Sequence, residues 1–186
     1  MQISHAGRQT PGAINPNPLS PSSVQLKIPG ANYGIPTPMS VDDIEDVIQR
    51  FAFVAKIAKE TGFTGIQLHS AHGYLLSQFL SPDINLRDDE WGGSIRNRSR
   101  LMLRIIEGCR AELGNDFPIA VKLNSADFQK GGFSDLDSIK VAKLLDDAGV
   151  DVIEISGGTY EQPRLLGLDD VSAVSYTHLT LPTTGI

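Results

Sequence analysis

Three short runs, Gly65–His69, Pro118–Asn124 and Asp151–Ser156, constrain this chain more than anything else in it. Each is too brief for a helix, and each follows a segment with helical spacing of apolar residues. Strands that alternate with helices of roughly ten to twenty residues imply βαβ units and a parallel sheet.

The intervening helices carry their own start and stop signals. Ser40 opens the first, with Asp43 as its capping-box partner, and Gly62 stops it. Between them Ile44, Val47, Ile48, Phe51, Val54, Ala55 and Ala58 recur on one apolar face. A second long helix is expected from about Ser94 to Leu113, with Leu101, Ile105, Cys109 and Leu113 on one side. Ser134, with Asp137 three residues on, caps a third that ends near Gly149. Gln2-Ile3-Ser4 reads as the end of a further strand, and Tyr74–Leu80 as a short amphipathic piece. From Gln9 to Pro38 no period is sustained, and a loop that long is expected to be functional or disordered.

At 186 residues the chain suits one well-buried domain. A closed eight-unit barrel takes about 250 residues. The chain is therefore either a small open sheet or roughly half of a barrel. The formal charge is 16 − 22 = −6 with no Lys/Arg-rich run, which argues against a nucleic-acid partner. No apolar segment approaches membrane-spanning length, and Met1–His5 lacks the parts of a signal peptide, so the default location is the cytoplasm. The single Cys109 excludes an internal disulfide framework and fits a core thiol on a helix.

Chemistry concentrates where the first clear strand ends. His69, His72 and Tyr74 follow the buried run Gly65–Leu68 at once, and barrels build active sites at such strand ends. Other readings stay open. His-x-x-His is also half of a metal site, although zinc needs a third protein ligand. A tyrosine at a helix start is by default a half-buried aromatic with a wet hydroxyl. Lys122 inside an apolar strand needs an anionic partner, because an unpaired buried ammonium is costly. His5 and Arg8 either face the site or pack the loop.

Five strings in register carry a family resemblance. They are Gln2-Ile-Ser-His-Ala-Gly-Arg8, the stretch His69–Pro82, Asn85–Ser94 with Asn97 and Arg98, Val121-Lys-Leu-Asn124, and Ile153-Glu-Ile-Ser-Gly-Gly-Thr-Tyr160. Together, over about residues 2 to 170, the chain resembles the Old Yellow Enzyme-like NADH:flavin oxidoreductases. The resemblance implies an α/β fold, a partial (β/α)8 barrel holding about strands 3 to 6 of eight. It implies FMN at the C-terminal strand ends, and NADH or NADPH as the donor of hydride to the flavin. The acceptor is an activated alkene or a similar small molecule.

In that frame His69 and His72 match the paired donors that stabilise negative charge on the acceptor's carbonyl oxygen. Tyr74 matches the proton donor. Gln2 matches the glutamine on the flavin's pyrimidine edge. Lys122 stands where the family places a cation, commonly arginine, beside the flavin N1 region. Arg87, Asp89 and Arg98 are expected to brace their segment through ion pairs, with Trp91 where tyrosine is commoner. The resemblance divides the chain into a barrel segment, 1–171, and a tail, 172–186, that looks like vector read-through. It also implies that two βα units before and two after are missing, together with the loops that hold the FMN phosphate. Two alternatives remain: a metal-dependent barrel hydrolase or lyase using His69 and His72, or an inactive half-barrel with open sheet edges and an uncovered apolar core.

Overall fold

The computed structural model describes residues 1–162. Its elements in chain order are β1 (Gln2–Ile3), a single 3₁₀ turn (Gly7–Gln9), β2 (Leu19–Ser20), β3 (Thr37–Pro38), α1 (Val41–Glu60) and β4 (Ile66–Ser70). There follow α2 (Leu75–Leu80), α3 (Ile95–Arg98), α4 (Arg100–Leu113), β5 (Ile119–Asn124), α5 (Asp135–Asp147) and β6 (Val152–Ser156). β1, β4, β5 and β6 lie side by side in that order as one parallel sheet. The alternation read from sequence is thus the one observed.

The helices form for the expected reasons. Ser40 and Asp43 close both halves of a capping box at the head of α1, and Ile44, Val47, Ile48, Phe51, Ala55 and Ala58 are buried along it. Val54 is half-buried at the margin of that face. The Ser134 hydroxyl accepts from the Asp137 N–H at the head of α5. Leu101, Ile105, Cys109 and Leu113 point into the core from α4, and burial pushes the Cys109 thiol up to about 12.

Three expectations need correction. The helix expected from Ser94 to Leu113 is interrupted at Ser99, whose hydroxyl donates to the Ile95 carbonyl 2.7 Å away. Such back-bonding competes with the helical ladder. α2 is not amphipathic, since all six of its residues are buried and the polar Ser77 and Gln78 find partners inside. The 9–38 segment is ordered by long-range pairing: β2 and β3 form a parallel ladder, and Pro11 bridges Tyr33. No local period announces contacts of that kind.

One face of the sheet carries Leu68, Val121, Leu123 and Ile153 into a core shared with α1, α4 and α5. The other face carries Gln2, Gln67, His69, Lys122, Glu154 and Ser156, with Ala120 and Val152 among them. At the far end of the strands Arg110 donates to the carbonyls of Phe117 (2.7 Å) and Gly149 (2.9 Å) and pairs with Asp151 at 3.0 Å. No helix among the described residues is long and apolar enough to cross a membrane.

Candidate active site

The C-terminal ends of β4, β5 and β6 meet the loops after β1 and β4, and the candidate residues gather there. His69 lies near the end of β4, directly beside Lys122 in the sheet register. The Ala71 N–H donates to His69 Nδ1 at 3.3 Å, which leaves the neutral ring's proton on Nε2 as a donor. Burial, with the neighbouring His72 and Lys122 charges, lowers the His69 pKa to about 4. The ring is therefore neutral at physiological pH.

His72 takes the left-handed conformation, φ 59°, uncommon for a residue with a side chain. Its backbone is clamped there. The His72 N–H donates to Asn124 Oδ1 at 3.2 Å, and a parallel bridge joins His72 to Thr159. Asn124 in turn donates to Asp127 and to the Gly158 carbonyl, both at 3.0 Å, so one buried amide ties together the loops after β4, β5 and β6. His72 Nε2 lies 2.6 Å from Ser156 Oγ. Burial and the Lys122 charge lower its pKa as well.

Tyr74 heads α2. Its ring centroid is 4.7 Å from that of His69, and the two histidine rings stand 5.3 Å apart and perpendicular. The Tyr74 hydroxyl is 2.7 Å from that of Tyr160. That hydrogen bond, together with burial, pushes the Tyr74 pKa up to about 12, so the phenol keeps its proton. The three residues expected to act together do stand together.

Gln2 and Lys122 both stand on the polar face, Gln2 level with Gln67 and Lys122 level with His69 and Glu154. Gln2 Nε2 donates to Gln67 Oε1 at 2.6 Å, and Gln67 Nε2 donates to Glu154 Oε2 at 2.6 Å. Glu154 Oε1 lies 3.0 Å from Lys122 Nζ. The anionic partner that Lys122 required is therefore a carboxylate from the next strand. Gln67 reaches across β5, where the residue beside it is Ala120, to Glu154 on β6.

Sequence reasoning passed over Glu154, Gln67, Asn124 and Tyr160. Glu154 was findable, as a charge within an apolar strand is the same signal that singled out Lys122. Asn124 and Tyr160 stand at the ends of two strings that carry the resemblance, but their roles, like that of Gln67, come from contacts between distant segments. Arg8 packs the loop after β1: it is buried and paired with Glu161. His5 does likewise, its Nδ1 accepting from the Gly7 N–H at 3.1 Å. Arg87 pairs with Asp89 as expected, whereas Arg98 reaches Asp137 on α5 at 3.0 Å and the Leu80 carbonyl. Among the described residues no group of three or more His, Cys, Asp or Glu side chains is placed to hold a metal ion. His178 and the tail 172–186 lie outside the described residues.

Two neutral imidazoles and a protonated phenol gathered side by side can polarise a carbonyl and deliver a proton. Residues 1–165 match the model of the NADH:flavin oxidoreductase / NADH oxidase family. The chain is 41% identical over 169 residues to a protein named NADH oxidase from Thermoanaerobacter brockii, covering 89% of this chain and 26% of that one. It superposes with a TM-score of 0.82 on 2-naphthoyl-CoA reductase in complex with 2-naphthoyl-CoA, at 33% identity, over 87% of this chain and 26% of that one. The Old Yellow Enzyme homologue of Zymomonas mobilis follows with a TM-score of 0.74 and 27% identity, over 87% of this chain and 50% of that one. The chain thus spans between a quarter and a half of these relatives, and its sheet is part of a (β/α)8 barrel.

Proposed function

This chain belongs to the NADH:flavin oxidoreductase / NADH oxidase family, and from that premise we propose that it carries part of the active site of an FMN-dependent oxidoreductase acting on a small molecule with an activated alkene. The observation that carries this reading is the cluster of His69, His72 and Tyr74, with ring centroids 5.3 Å and 4.7 Å apart. His69 presents an Nε2–H donor, since its Nδ1 is taken by the Ala71 N–H. A second donor from His72 beside it suits a carbonyl oxygen on which negative charge grows. Tyr74, kept protonated by its high pKa, is placed to give the proton that completes saturation.

The polar face suits FMN. An exposed amide on Gln2 and the ammonium of Lys122 offer donors along one flat face, as the heteroatom edge of a flavin ring requires. Gln2 would orient that edge, and Lys122 would lie near its N1 side. Bound there, FMN supplies the exchange of hydride between NADH or NADPH and the acceptor. The residues of this chain fix where the acceptor sits and when it receives its proton.

Replacing Tyr74 by Phe tests the assignment. Reoxidation of the reduced enzyme by an enone is expected to slow by about 10²–10⁴-fold, the usual contribution of a general acid, while reduction by NADH or NADPH stays within twofold. Stopped-flow absorbance at the flavin band separates the two half-reactions. Equal losses in both would remove Tyr74 from the proton-donor role.

A further inference from the structure

The loop after β6 brings a second phenol to the first. The Tyr160 hydroxyl lies 2.7 Å from that of Tyr74, with either oxygen able to donate, and the two rings meet edge-on with centroids 5.9 Å apart. The residues on both sides of Tyr160 are tied down. Thr159 is buried, bridges His72 and accepts from Gln129 Nε2 at 3.0 Å. Glu161 pairs with Arg8 and accepts from Gln129 Nε2 at 3.2 Å. Tyr160 is thus carried by a segment fastened to the loops after β1, β4 and β5. A phenol has one proton, so in a pair of hydroxyls one gives and the other accepts. While Tyr74 donates to Tyr160, its proton is committed to that bond and held back from any acceptor. With Tyr160 donating, the Tyr74 proton is free to leave.

We propose that Tyr160 is a positioning residue for proton delivery: it donates to the Tyr74 oxygen, turns the Tyr74 proton toward the acceptor and holds the phenolate that remains. This rests on the function proposed above. Hydride on the β-carbon of the acceptor leaves electron density at the α-carbon. There the Tyr74 O–H bond breaks as a C–H bond forms, and the electron pair of the broken bond stays on the Tyr74 oxygen. The Tyr160 hydroxyl then donates to a charged oxygen, a stronger bond than the neutral one it replaces. A proton from water restores Tyr74 once the saturated product has left. Tyr160 gives up no proton in this step and acts only through Tyr74.

The test is a double-variant cycle on Tyr160→Phe, Tyr74→Phe and the two combined, with each half-reaction followed by stopped flow. Phe at 160 keeps the ring and its edge-on contact, so the fold is expected to survive. In Tyr160→Phe the limiting rate of reoxidation by an enone should fall about 10–100-fold, the contribution of a hydrogen bond to a charged oxygen. The enone concentration giving half that rate, and the rate of reduction by NADH or NADPH, should stay within about twofold. In the Tyr74→Phe background the further loss should vanish, because Tyr160 has no oxygen left to act on. The same cycle, run as urea unfolding of the flavin-free protein, reads the hydrogen bond by itself. There the two losses should overlap by about 2–10-fold in the unfolding equilibrium. An unchanged limiting rate in Tyr160→Phe, a loss that persists in the Tyr74→Phe background, or strictly additive losses in urea would overturn the inference and leave the function standing. Equal slowing of both half-reactions by Tyr74→Phe, or no FMN bound by the wild-type protein, would overturn the function itself, and this inference with it.

Discussion

Gln78 shows how much one buried amide can organise. Its Oε1 accepts from the Arg8 N–H at 3.2 Å and the Ser20 hydroxyl at 3.3 Å, and its Nε2 donates to the carbonyls of Gly73 (2.7 Å) and Ala6 (3.2 Å). All four positions of the amide are used, and three loops converge on it. Gly7 allows the approach: with φ 57°, a Cβ there would come within 2.3 Å of Gln78 Oε1. Leucine at 78 would keep the volume and strand four polar groups, each costing about 1–3 kcal/mol when left unpaired, some of it recovered by relaxation. Gln78→Leu is expected to lower stability by at least about 2 kcal/mol, measured by urea unfolding. Neither residue was singled out from sequence, because a glutamine inside an apolar helical run looks like a solvent-facing gap until its partners are known.

α1 and α4 lie against each other, and their contact passes over Gly108. A Cβ built there meets the Ala52 methyl at 3.4 Å and Ile48 Cγ2 at 3.8 Å, ordinary van der Waals distances. Glycine inside a helix costs up to about 1 kcal/mol relative to alanine. Gly108→Ala should therefore stabilise the protein by about 0.5–1 kcal/mol, visible as a raised thermal midpoint, whereas Gly108→Leu should destabilise it by overpacking. Elements that depend on local signals were legible in advance. The capping residues Ser40 and Ser134, the apolar faces of α1 and α4, and the three longer strands needed only spacing and composition. The break at Ser99, the burial of α2 and the pairing of β2 with β3 were not legible, because contacts distant in sequence decide them.

For the whole molecule, the buried histidines make stability depend on pH. The folded pKa of His69 is about 4, against about 6.5 in an unfolded chain, and that of His72 is also lowered. The unfolded state thus binds more protons below about pH 6.5, and folding loses stability as the pH falls from there toward 4. Asp127 works the other way, since burial raises its pKa and protonation favours the fold. The urea midpoint should decline across this window in the wild type, and decline less in His69→Gln. An identical decline in both would locate the pH sensitivity elsewhere. The chemical groups of the site could be read from the chain, because histidine, tyrosine and lysine beside apolar runs are conspicuous. Their supports could not, because Asn124, Gln67 and Tyr160 matter only once separate strands lie side by side.

The side chain of Ala120 has no polar atom, yet it stands beside Gln67 on the strand that Gln67 must cross to reach Glu154. Any bulkier residue there would part Gln67 from the carboxylate without altering a single charge. Variation at this position is therefore coupled to variation at 67 and 154: lineages that enlarge residue 120 should lose the bridging amide too. The inheritance of the site depends on an empty space as much as on the groups around it.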